Sequence, residues 1–219
     1  MHKIVQNLIN IDNQLKSLIE TSKIKKLPKI IAVSKTFSIE KILPLIEHGH
    51  LDFGENKVQE AIDKWSNVKN KKPNIQLHMI GKLQTNKVKF AVKLFDYIHS
   101  VDSKKLAKKI SDEQNKIHRK IKIFIQINIG NENQKSGVQI RELDHLVSYC
   151  KELRLNIVGF MCIPPEKEDS SLYFREMYRL ANFYSLDELS MGMSSDFLKA
   201  AEYNSTLLRI GSNIFGLRT

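Results

Sequence analysis

KIIAVSKTFSIEKILPLIEHG (29–49) changes its hydrophobic rhythm partway along. KIIAVS is almost continuously apolar, the pattern of a strand covered on both faces in a parallel sheet. IEKILPLIEHG instead spaces its apolar residues for one face of a helix. Ser38 is available as its N-cap, and Gly49 stands just past its end, where a left-handed residue is wanted. Strand followed by helix is one βα unit, and the alternation continues down the chain. Further strands are expected at HLDFG (50–54), IQLHMIG (75–81), DYIHSV (96–101), KIKIFIQINI (120–129), NIVGFMCI (156–163), LDELSMG (186–192) and TLLRIG (206–211). Between them lie helix patterns such as ENKVQEAIDKW, TNKVKFAVKLF, SKKLAKKISDEQNKI, with Ser103 as cap, and SLYFREMYRLANFY. Eight strands with crossover helices predict an α/β fold, a (β/α)8 TIM-type barrel, with an extra N-terminal helix over about residues 3–22. An open doubly wound sheet is the rival arrangement; the count of eight favours the barrel. No linker or low-complexity stretch divides residues 1–219, so a single domain is expected.

Composition narrows the function classes. The chain has 219 residues, 42% hydrophobic and 27% charged, the profile of a soluble globular protein. No apolar run reaches the roughly 20 residues that cross a bilayer, and the polar, periodic N-terminus does not read as a secretory signal. Cys150 and Cys162 make no disulfide framework, which fits a cytoplasmic location. No Cys/His cluster has zinc-ligand spacing, so no metal is expected. The formal net charge of +11 raises nucleic acid as a partner. Nearly all the excess is lysine, accompanied by abundant Asn and Ile, as A- and T-rich codon usage produces. The lysines are scattered and lack interleaved aromatics, so an RNA-binding role rests on charge alone.

In parallel barrels the active site lies at the C-terminal ends of the strands. Strand 1 runs directly into Ser34-Lys35-Thr36. Most of the 28 lysines belong on the solvated outside, but Lys35 is placed at the mouth. Partial burial disfavours the ammonium form of a lysine and leaves its amine able to attack an aldehyde as a Schiff-base nucleophile. Strand 8 ends at Arg209-Ile210 and opens into Gly211-Ser212, and strand 7 opens into Met193-Ser194-Ser195. Two adjacent loops rich in Gly and Ser, each starting a helical turn, offer backbone N–H groups to an anion such as a phosphate.

These segments resemble the pyridoxal phosphate homeostasis proteins, single-domain barrels related to the N-terminal domain of alanine racemase. AVSKT (32–36), FGENKVQEA (53–61), HMIGKLQTNK (78–87), QINIGNENQKSG (126–137), GFMCIP (159–164), LSMGMSSD (189–196) and STLLRIGSNIFG (205–216) carry the resemblance in family order. The resemblance implies pyridoxal 5'-phosphate (PLP) as cofactor, held as a Schiff base on Lys35. It implies that Asn56 lies beside the cofactor, that Ser194 and the amides of Gly211 and Ser212 hold the phosphate, and that Arg209 faces the pyridine nitrogen. It also implies a role in PLP storage, buffering or delivery to apo PLP-dependent enzymes, with a monomer as the expected state. Lys57 stands where the family usually has tyrosine, and Asn204 replaces a glycine.

A cationic partner on the ring nitrogen weakens the cofactor as an electron sink, so no catalytic residue is assigned. The alternative is a racemase-like enzyme, but related racemases draw a second base from a tyrosine on a separate domain. The tyrosines here, at 97, 149, 173, 178, 184 and 203, fall inside strand or helix patterns. His78, within a strand, reads as hydrogen-bonded core before general base. Lys87 and Lys135 could attract phosphate, though exposed lysine is the ordinary reading. Glu55 and Glu60 read as a helix N-terminal charge and a surface partner, and Cys162 as a small buried residue.

Overall fold

Eight parallel strands pair in chain order, and the eighth returns to the first to close a barrel. The computed structural model describes residues 1–21, 24, 26–132 and 134–216. The strands are β1 (Lys29–Val33), β2 (Asp52–Glu55), β3 (Gln76–Met79), β4 (Tyr97–Val101), β5 (Lys122–Ile127), β6 (Asn156–Cys162), β7 (Glu188–Met193) and β8 (Leu207–Ile210). The closing seam sets Ile31 opposite Arg209 and Ala32 opposite Ile210. All eight expected strands are present and the barrel replaces the open sheet.

Helix α1 (Lys3–Thr21) precedes the barrel and buries Ile4, Val5, Leu8, Ile11 and Leu15, the i, i+3/i+4 stripe of an amphipathic helix. The last expected residue of that helix, Ser22, lies outside the described residues. The outer ring continues with α2 (Ile39–Glu47), α3 (Val58–Lys71), α4 (Val88–Leu94), α5 (Lys104–Lys116), α6 (Leu143–Glu152), α7 (Ser170–Phe183), α8 (Phe197–Glu202) and the short α9 (Ser212–Phe215). The Ser103 side chain caps α5 by accepting from the Leu106 amide at 3.4 Å. Ser38 occupies the N-cap position of α2 without bonding a backbone amide, and Gly49 takes φ 93° after that helix.

The apolar core has two parts. The larger lies between the strands and the helix ring; a smaller cluster of Ile31, Tyr97, Phe124, Met161 and Leu207 fills part of the barrel interior. The interior is otherwise polar, with His78, His99, Ser190 and Arg209 all buried.

One assignment needs correcting. Glu55 is not a helix N-terminal charge: it ends β2, and α3 begins only at Val58. Its carboxylate is fully buried, and Oε1 accepts from Ser34 Oγ at 2.7 Å, Lys64 Nζ at 2.9 Å and Trp65 Nε1 at 2.9 Å. A buried carboxylate needs that many donors to offset lost hydration. Glu60 is half-buried rather than a plain surface partner; it accepts from the Thr36 amide at 2.5 Å and from Lys64 at 3.0 Å.

Candidate functional site

The C-terminal ends of β1, β2, β7 and β8 surround a cavity of about 770 Å³. Its lining includes Lys35, Asn56, Ser194, Arg209, Gly211 and Ser212, six side chains or backbones brought together from four strand ends. A volume of this size suits a small organic ligand.

Lys35 leaves β1 two residues past Val33 and is half-buried. The turn behind it is held on its far side: Lys64 Nζ donates to the Ser34 carbonyl at 2.9 Å, and Glu60 holds the Thr36 amide. Thr36 has φ 69°, a left-handed conformation that costs a non-glycine residue energy. The Glu60 contact keeps it there, so Lys35 departs from the strand in a set direction.

Across the mouth, Ser194 Oγ accepts from the amides of Gly211, at 3.2 Å, and Asn213, at 3.5 Å, while Asn213 Nδ2 donates to the Ser194 carbonyl at 2.9 Å. The loops after β7 and β8 are thereby tied together. Phe37 stacks on Phe215 with centroids 4.9 Å apart and closes that side. On the β2 side, the Asn56 Oδ1 atom is buried and accepts no hydrogen bond from the described residues. Such an orphan acceptor is expensive unless a ligand satisfies it. Gly81 makes the fit possible, because a Cβ there would lie 2.4 Å from the Asn56 carbonyl oxygen.

Arg209 lies 5% exposed at the cavity floor. Nη1 donates to the Ser190 carbonyl at 2.5 Å and its Oγ at 2.7 Å, and Nη2 donates to the Cys162 carbonyl at 2.8 Å. Among the described residues no carboxylate hydrogen-bonds it, and burial lowers its pKa from the ordinary arginine value. Burial also pushes the neighbouring Cys162 thiol up to about 12, which suits a packed residue and not a nucleophile. The mouth thus offers an amine, a set of anion-ready donors, a cation and an unsatisfied acceptor.

The alanine racemase N-terminal domain family model matches residues 7–219. The pyridoxal phosphate homeostasis protein of Vibrio alginolyticus is 35% identical, with 100% of this chain and 99% of the relative covered. That of Escherichia coli strain K12 is 36% identical over 86% of this chain and 85% of its own length. The chain belongs to the pyridoxal phosphate homeostasis proteins of the alanine racemase N-terminal domain family. PipY of Synechococcus elongatus PCC7942, whose structure has PLP bound, superposes with a TM-score of 0.82 at 32% identity, over 94% of this chain and 100% of PipY.

Other residues weighed for this homeostasis-family chain fall elsewhere. His78 is fully buried and hydrogen-bonded to Asp52 and His99, as a core histidine. Lys87 ends a 3-10 turn (Thr85–Lys87) and is not among the cavity residues. Lys135 donates to the Pro164 carbonyl at 3.0 Å and pairs with Glu132 at 2.5 Å, beside a smaller adjoining cleft that also touches Asn56. Sequence reasoning missed Asn213, Ser190 and Lys64. Asn213 adjoins the expected phosphate loop and was within reach; Lys64 sits in a lysine-rich helix with nothing to single it out.

Proposed function

We propose that this chain is a PLP-binding protein of cofactor homeostasis, a single barrel domain over residues 1–219 that holds PLP as a Schiff base on Lys35. The observation that carries this is the convergence of Lys35, Asn56, Ser194, Arg209, Gly211 and Ser212 on one cavity of about 770 Å³. The cofactor supplies an aldehyde and an electron-withdrawing ring. Lys35 provides the amine, held in direction by the Ser34–Lys64 and Thr36–Glu60 bonds. The Ser194 hydroxyl and the amides of Gly211 and Ser212 would hold the phosphate, the Gly211 amide giving up its bond to Ser194 Oγ, and a donor on the bound group would relieve the buried Asn56 Oδ1. Arg209, a permanent donor, would hold the ring nitrogen and would favour its unprotonated form.

The role is storage, buffering or delivery to apo PLP-dependent enzymes by a monomeric, cytoplasmic protein. Free PLP reacts with exposed amines, so a reversible holder has a chemical purpose. Among the described lining residues Lys35 and Arg209 alone carry ionisable side chains. Among the described residues no helix is long and apolar enough to cross a membrane, and no cluster of three or more His, Cys, Asp or Glu is placed to hold a metal.

The test is borohydride reduction of the PLP-loaded chain followed by peptide mapping. The adduct is expected on Lys35 and absent from Lys35→Ala. Full adduct formation in that variant would refute the lysine assignment. Sustained solvent-deuterium exchange at the α-carbon of alanine would instead move the racemase reading to the front.

A further inference from the structure

The polar side chains inside the barrel form a single file. Arg209 Nη1 donates to Ser190 Oγ; Ser190 Oγ lies 2.8 Å from His99 Nδ1; His99 Nε2 lies 3.0 Å from His78 Nδ1; and His78 Nε2 lies 3.0 Å from Asp52 Oδ1. The file leaves β8 at the cavity, passes across the lumen from β7 to β4, and ends on the first residue of β2. There Asp52 lines a separate cleft of about 450 Å³ at the other end of the barrel, with Lys29 and His50. Each imidazole is clamped by a ring: His78 stacks on Tyr97 and His99 on Phe124, both with centroids 4.3 Å apart.

The chemistry of the two ends gives this file one direction. A guanidinium only donates, so Ser190 Oγ accepts from Arg209 and keeps its own hydrogen available for His99 Nδ1. His99 Nδ1 is then an acceptor, and its proton sits on Nε2, where it donates to His78 Nδ1. His78 in turn carries its proton on Nε2 and donates to the Asp52 carboxylate. Asp52, which only accepts when ionised, fixes the direction: it requires the His78 proton on Nε2, and that in turn requires the His99 proton on Nε2. The reverse direction would set an unprotonated His78 Nε2 against a carboxylate or demand a second proton on a fully buried ring. Burial lowers the pKa of His78 and, more strongly, of His99. Two neutral rings fit the file, each with its proton on Nε2.

We propose that Ser190, His99 and His78 are positioning residues for Arg209: anchored on Asp52, their one-way hydrogen bonds hold the guanidinium in a single orientation toward the cofactor cavity. This deepens the PLP reading and rests on it. Among the described residues Arg209 has no carboxylate acceptor, and two of its three acceptors are backbone carbonyls that leave the Ser190 hydroxyl as the adjustable contact. Ordering that hydroxyl is what the histidines accomplish, by presenting it with an acceptor and never a donor.

Side-chain nitrogen NMR of histidine-labelled protein without cofactor tests the file directly. In the wild-type chain at neutral pH, His78 and His99 are expected as neutral Nε2–H tautomers. Ser190→Ala removes the donor to His99 Nδ1, and that nitrogen is expected to shift toward an unbonded acceptor while Asp52 keeps the proton of both rings on Nε2. Asp52→Asn lies at the far end from the cofactor, and its amide either donates or accepts. Mixed tautomers are expected there at both histidines. PLP loading, followed by absorbance, is expected to weaken about tenfold in Ser190→Ala and severalfold in Asp52→Asn, the scale of one hydrogen bond. Borohydride would still trap the adduct on Lys35 in both. An Nδ1–H or doubly protonated ring in the wild type would overturn the file. Normal wild-type loading with both variants within twofold of it would overturn the positioning role alone. A wild-type chain that takes up no PLP would sink the cofactor reading and this role together.

Discussion

Lys35 was legible on its own because it stands just past an apolar run, where a parallel barrel exposes its mouth, whereas the role given to Arg209 came only from the resemblance. Asn56 was different: nothing in its neighbours marks it, and only the resemblance pointed to it. Its buried, unpartnered Oδ1 now gives a physical reason. Asn56→Ala is expected to weaken PLP binding roughly 5- to 15-fold, the worth of about one to 1.5 kcal/mol of hydrogen bonding, in an absorbance titration. Glu55 was misread because Glu-Asn before an apolar-periodic stretch looks like a helix start, whereas Ser34, Lys64 and Trp65 draw its carboxylate inward. Cys162 makes a cleaner case. With its thiol pushed up to about 12, only on the order of one part in ten thousand is thiolate at pH 8. Iodoacetamide is expected to label Cys162 in the denatured chain and leave it essentially untouched in the folded one.

Strands and helices were recovered in number and order, and their ends were not. The strand expected at 50–54 begins at Asp52, since Leu51 is 45% exposed and the His50 ring bonds the Asp52 carbonyl. The run expected at 120–129 stops at Ile127, because the buried Ile129 belongs to the turn at Gly130 and not to the ladder. Periodicity reports burial, and burial continues past the last ladder bond. The packing of α3 against the end of β2 yields a test at this scale. Lys64, 8% exposed in its side chain, pairs with the fully buried Glu55. Lys64→Met would strand that carboxylate, at a cost of about 3–5 kcal/mol in urea unfolding. It would also release the Ser34 carbonyl beside Lys35, so adduct formation with PLP is expected to slow. Gly81→Ala is a second test, since its Cβ would lie 2.4 Å from the Asn56 carbonyl oxygen; a loss of about 1–3 kcal/mol is expected.

For the molecule as a whole, the barrel was readable from a count of strands, but the histidine file was not. His78, His99 and Ser190 sit far apart in the chain, and only closure brings β4 and β7 across one lumen. Polar residues inside otherwise apolar strands were the available signal. The buried imidazoles bear on pH stability. Burial depresses His50, His78 and His99 in the folded chain, while in the unfolded chain they protonate near their ordinary value of about 6.5. The unfolded state therefore takes up more protons as pH falls below that value, and stability falls with it. Each ring removes up to about 1.4 kcal/mol per pH unit, so melting temperature is expected to drop steadily from pH 7 to 5 in thermal scans. The seam between β1 and β8 reaches further than stability. The proposed cofactor site straddles it, with the amine on the first strand and most of its other contacts on the last two. During synthesis the amine and Asn56 emerge early and wait, and the site is complete only once residues 207–216 have left the ribosome. Uptake of the cofactor is in that sense a report that the ring has shut, and by mass action it rewards only chains that have finished folding.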